Sequence, residues 1–182
     1  MRPLRFPAIL SMLLALAILG GCAASSGGSN EPVPLRGTGL PSEAAQQAQS
    51  DTPLGRAVLA AINAHRSAPP LIVDSTLQRA AAVHAQDMVI RNFRGHHNPE
   101  GQGPLDRVLA LDPDFRGTVA ENIWTGTALR GASDAETADY VLKGWRNSPR
   151  HRTTLESSAY TKTGIGVASK GNVIYIVQVF SD

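Results

Sequence analysis

The chain has 182 residues, with 17 Lys and Arg against 15 Asp and Glu and a formal net charge of +2. Arg2 and Arg5 are the only charges in residues 1–21, so the remainder carries equal numbers of each sign. That balance speaks against nucleic acid as a partner and against a polybasic hold on anionic lipid, and the single cysteine, Cys22, excludes an intramolecular disulfide.

Read from its start, the chain has a positive segment with Arg2 and Arg5, then an apolar run over residues 8–19 that is too short to span a bilayer comfortably. Leu19-Gly20-Gly21-Cys22 follows, which reads as a lipoprotein signal: residues 1–21 are removed and the Cys22 thiol accepts lipid. More than one acyl chain is needed for a stable anchor. Position 23 is Ala rather than Asp, which by similarity to other lipoproteins favours the outer membrane or periplasm in a Gram-negative source and the cell surface otherwise. Residues 22–50 are rich in Ser, Gly, Pro, Gln and Ala and predict a flexible tether, with a marginal short helix over residues 43–49.

One domain of ordinary size is expected over residues 51–182. Thr52-Pro53 opens a helix whose apolar face holds Leu54, Val58, Ala61, Ile62 and His65. Asp74 or Ser75 caps a second, striped by Leu77, Ala80, Ala81, His84 and Met88. A His-, Pro- and Gly-rich loop follows over residues 95–103, then a short helix over residues 104–111 and an extended segment at Glu121-Asn122-Ile123-Trp124. Residues 135–145 are helical by spacing, and Ser148-Pro149 restarts the chain so that His151 stands near a helix N-terminus. Two β-type runs, residues 163–168 and 173–180, form a hairpin; the second is apolar on both parities and so is expected to be covered on both faces. Helices on both sides of a small, mainly antiparallel sheet satisfy this order.

Candidate chemistry rests on His96, His97, Glu121 and His151, since two imidazoles and a carboxylate with waters suit zinc or copper. Sequence separation does not show that they meet, and each histidine taken alone is more often a surface or structural residue. His84, on an apolar stripe with Asp87 three residues on, reads first as a buried hydrogen-bonded histidine, and His65 as a surface residue at a helix C-terminus. No Gly-x-Ser-x-Gly, His-Glu-x-x-His or phosphate-cradling glycine loop is present, and Gly164-Ile165-Gly166-Val167 has no helix after it.

A set of segments in order then carries a family resemblance: Ile62-Asn63-Ala64-His65-Arg66; Ala80 to Met88; Phe93 to Gly101; Pro104 to Arg107; Glu121-Asn122-Ile123; Trp145 to Arg152; Gly164-Ile165-Gly166; Gln178-Val179-Phe180. The chain resembles the bacterial branch of the CAP (SCP-like) superfamily, which includes cysteine-rich secretory proteins, antigen 5 and plant pathogenesis-related proteins. The resemblance implies an α+β fold, a three-layer α-β-α sandwich, and a cleft of histidines and acids. By motif that cleft is His96, Glu121 and His151, with a weakly held divalent ion, zinc foremost, on the same three residues. Arg146-Asn147-Ser148 stands where eukaryotic members carry a second glutamate, and neither Glu136 nor Asp139 matches that position. Arg150 replaces a glycine before the histidine and is expected to lower the His151 pKa and weaken metal binding. The resemblance implies either an envelope-anchored module binding a lipid, glycan or peptide, or a metal-assisted hydrolase with Glu121 as candidate catalytic residue. Binding is preferred because a second acid is not evident.

Overall fold

Each helix starts where a side chain or proline meets its unpaired first turn. Thr52 accepts from the Gly55 N–H at 3.1 Å to open α2, Pro53–His65, and Asp74 accepts from Thr76 and Leu77 to open α3, Ser75–Arg91. Pro104 begins α4, Pro104–Leu111; a Ser133/Glu136 capping box begins α5, Asp134–Asn147; Pro149 begins α6, Pro149–Glu156. Helix α3 ends at Asn92 in the left-handed region, φ 53°, where a short polar side chain is tolerated. The computed structural model describes residues 39–182. The signal segment, Cys22 and the first part of the tether lie outside the described residues.

The last part of the expected tether is packed rather than free. Helix α1, Ser42–Gln47, buries Ala44, and Arg79 of α3 donates to the carbonyls of Ala45 and Ala48. Gln102 donates to the Gly39 carbonyl at 3.2 Å. So short a helix is marginal alone; here a guanidinium satisfies carbonyls at its C-terminal end and α3 covers its apolar residue.

The sheet contains β1, Ile72–Val73; β2, Val119–Thr127; β3, Lys162–Lys170; and β4, Val173–Ser181, in the order β1-β3-β4-β2. Strand β4 pairs antiparallel with β3 and β2, while β1 pairs parallel with β3. The fold is therefore the expected α-β-α sandwich with a mainly antiparallel sheet. The β3–β4 connection is tighter than the sequence suggested. The strands reach Lys170 and Val173, leaving Gly171-Asn172, and Gly171 takes φ 60° as a primed hairpin turn requires.

Strand β4 explains its own apolar run. Ile174, Ile176 and Phe180 face a core with Val58, Ile62, Val141 and Trp145 of α2 and α5. Tyr175, Val177 and Val179 face a second core with Leu77, Ala81, Met88 and Val108 of α3 and α4. Gly164 and Gly166 serve that second contact: a Cβ on either would stand 2.1–2.2 Å from the α3 backbone. Their spacing reflects close helix–strand approach, not a nucleotide loop.

Candidate functional site

Successive residues of a strand point to opposite faces, and β2 uses this at the edge of the sheet. Glu121 shares its face with Val119 and Ile123, toward α3 and α4, whereas Asn122 turns toward α6 and donates to the His151 carbonyl at 3.1 Å. β2 is an edge strand, and the loop after α3 and the start of α6 each reach it through one of these two residues. In this way His96 and His151, 55 positions apart, are both held at β2, one through the Glu121 carboxylate and the other through the Asn122 amide.

Glu121 is buried, and both carboxylate oxygens are engaged. Oε1 accepts from His96 Nδ1 at 2.9 Å and Oε2 from Arg107 Nη2 at 2.5 Å, with the Glu121 and Arg107 side chains each 1% exposed. Arg107 also donates through Nη1 to the carbonyls of His96 and Gln102, both at 3.1 Å. One guanidinium thus ties the β2 carboxylate to the backbone of the loop that carries His96. Burial pushes the Glu121 carboxyl up, but the His96 hydrogen bond and the Arg107 charge outweigh it and hold the group below the ordinary carboxylate range. A proton on His96 Nδ1 leaves Nε2 as the outward-facing atom of a half-exposed ring.

The loop is rigid by construction. Asn98 and Gln102 exchange backbone and side-chain hydrogen bonds of 2.7–3.1 Å, and the turn between them closes at Gly101, φ 79°. Behind it, His84 donates from Nε2 to the Gly95 carbonyl at 2.8 Å. Burial, then the Arg107 charge, lower the His84 pKa to about 4, so the ring is neutral and props the residue before His96. Asp87 bonds Arg91 instead of His84. His97 is exposed, with its ring against Gly103, and His65 is exposed, with Nδ1 2.9 Å from the Ala61 carbonyl.

His151 is partly buried, and its pKa is lowered by that burial and then by the His96 charge. Arg150, expected as the cause, is exposed and contributes no part of the shift. The cation at this site is Arg107. In the sequence it stands within a family segment with no role of its own; its signal was a charged residue beside Val108 on the buried face of α4. Glu136 is held in the α5 capping box, and Asp139 lines a cavity that contains none of His96, Glu121 and His151, so neither supplies a second acid.

A metal ion fits only part of this set. Among the described residues no group of three or more His, Cys, Asp or Glu is placed to hold one. Glu121 does not fit as a ligand, because a dication would have to displace Arg107 or His96 from a buried carboxylate. Glu121 instead stands behind His96 and fixes its tautomer.

The family model of the cysteine-rich secretory protein family, CAP, matches residues 56–180. The chain belongs to that family. It is 30% identical over 104 residues to the uncharacterized protein YkwD of Bacillus subtilis (strain 168), a match that covers 57% of this chain and 37% of YkwD. An extracellular protein containing an SCP domain from Bacillus anthracis is 27% identical, with a TM-score of 0.58 over 70% of this chain and 40% of that one. An outer surface protein of Borrelia burgdorferi shares the fold at 20% identity and a TM-score of 0.54, covering 71% of this chain and 88% of its own. This CAP chain spans well under two thirds of the two Bacillus relatives.

Proposed function

We propose that this chain is an exported CAP-domain lipoprotein, anchored through Cys22 and carried on its tether, whose His96/Glu121/His151 cleft binds a lipid, glycan or envelope polypeptide. The extracellular and outer-surface descriptions of its structural relatives support the location. The engagement of Glu121 carries the preference for binding. A hydrolytic base must have an oxygen free to take a proton, and Glu121 has one oxygen on a buried guanidinium and the other on His96. What the cleft offers a ligand is His96 Nε2 and the His151 ring, beside a carboxylate that keeps one imidazole oriented. A divalent ion, zinc foremost, would be held weakly by those two rings with waters, and would supply Lewis-acid polarisation of a bound oxygen.

The test uses the full chain, with His96→Ala and His151→Ala beside wild type. Mass spectrometry should find a molecule that copurifies with wild type and is lost from both variants, and calorimetry should find weak zinc binding lost in parallel. Metal-dependent cleavage of a peptide or cell-wall library, abolished by Glu121→Gln, would replace the binding reading with the hydrolase. An unmodified Cys22, or an N-terminus at residue 23 or beyond, would remove the anchor.

A further inference from the structure

Helix α6 presents His151 to the cleft and the next residue, Arg152, to a separate concavity. This cavity of about 400 Å³ lies against α2, α5 and α6 and is lined by His65, Asp139, Leu142, Lys143, Arg146 and Arg152 among others. Its size is in the ordinary range for small-molecule sites. The α5 contributors, Asn147 included, stand at i, i+3, i+4, i+7 and i+8, one continuous helix face. Leu142 is buried at its base, and the rest of the lining named here is polar.

Its charge separates this cavity from the rest of a chain that is balanced beyond residue 21. Lys143, Arg146 and Arg152 face one carboxylate, Asp139, and no ion pair joins Asp139 to any of them. Among the described residues, the Lys143 ammonium and the Arg146 guanidinium have no hydrogen-bond partner, and the Arg152 guanidinium has one contact, 3.5 Å from the Arg146 carbonyl. Three cations lining one cavity with unspent donors, two of them planar forks, suit an oxyanion with several acceptors. A phosphomonoester, carrying about two negative charges, or the more highly charged pyrophosphate matches this set better than a singly charged carboxylate.

We propose that the α2/α5/α6 cavity is a binding site for a hydrophilic phosphate-bearing ligand, with Lys143, Arg146 and Arg152 as its cationic contacts. Pyrophosphate and glycerol 3-phosphate, titrated calorimetrically into the full chain, probe the soluble form. Short-chain dihexanoyl phosphatidylglycerol against dihexanoyl phosphatidylcholine, titrated in the same way below their micellar concentrations, probes a lipid headgroup without reading the acyl anchor. The wild type should bind at least one phosphate probe saturably, not glycerol, and binding should weaken about tenfold for each cation removed in Lys143→Ala and Arg146→Ala. Raising salt from about 0.05 to about 0.5 M should weaken it further. Binding that depends on phosphatidylglycerol and is lost in the Lys143→Ala/Arg146→Ala variant assigns a headgroup; loss confined to the soluble probes assigns a free phosphate ester. Both side chains are exposed, so the thermal midpoint should not change, and His96→Ala should bind the probes as wild type does. No binding by wild type in either arm, or unchanged binding by the double variant, overturns the proposal.

Discussion

The two faces of the sheet are built on opposite plans. On the α2/α5 face, large side chains interdigitate: Trp145, Phe180, Ile62 and Ile176 are each at most 1% exposed. On the α3/α4 face, the α3 backbone at Leu77–Gln78 and Ala81–Ala82 lies close to Gly164 and Gly166, and four charged or titratable side chains, His84, Asp87, Arg107 and Glu121, are buried. The first face gains its stability from volume, the second from close backbone approach and paired polar groups. The candidate site lies on the second, where a buried charge finds partners from α3, α4, β2 and the loop after α3.

The comparison can be broken from either side, and the largest effects are expected at its anchors. Trp145→Ala should cost about 3–5 kcal/mol, because a rigid face cannot close over the space left. Arg107→Leu should cost a similar amount, about 3–5 kcal/mol, for a different reason: it leaves the Glu121 carboxylate buried without its cation. Urea unfolding checks both, and the Arg107→Leu/Glu121→Leu double variant separates them by recovering most of the loss. If the double variant is as unstable as Arg107→Leu, packing rather than charge governs this face.

Acid should strike the polar face selectively. His84 falls from an ordinary value near 6.5 to about 4 on folding, so the unfolded chain binds the extra proton between those pH values. Stability therefore drops as pH falls from about 6.5 to 4, by about 3 kcal/mol, and this contribution levels off below that. The lowered Glu121 value acts in the same direction: its contribution is present above the ordinary carboxylate pKa and is lost as the group protonates. A denaturant midpoint that does not change across this range would refute the buried neutral imidazole.

Smaller effects sharpen the contrast. Gly166→Ala should cost at least the upper part of the about 1–3 kcal/mol range for overpacking, since its Cβ would meet α3 backbone rather than a movable side chain. Removing the Asp74 cap with Asp74→Ala should cost about 1 kcal/mol, read as a small drop in thermal midpoint. If Gly166→Ala proves neutral, α3 does not sit as tightly on the sheet as the glycines imply.

The helices were legible in the sequence because their starts and apolar periods are local: Thr52-Pro53, Asp74 and Pro149 stand where α2, α3 and α6 begin, and spacing alone marked α5. The sequence also determined that β4 is covered on both faces, and it singled out His96, Glu121 and His151. Strand β1 escaped notice because two residues carry no period, and the extent of β2 because only pairing with β4 shows where it ends. The packing of residues 39–50 on α3 was equally illegible, since Arg79 satisfies α1 from more than thirty residues away. How the candidate site residues are partnered was not legible in the sequence. Neighbouring residues Glu121 and Asn122 reach opposite faces of an edge strand, one to Arg107 and His96 and the other to the backbone of His151. A charge partner found through space leaves no spacing in the chain, so Arg107 could stand in a motif yet receive its task only when α4 was folded against β2.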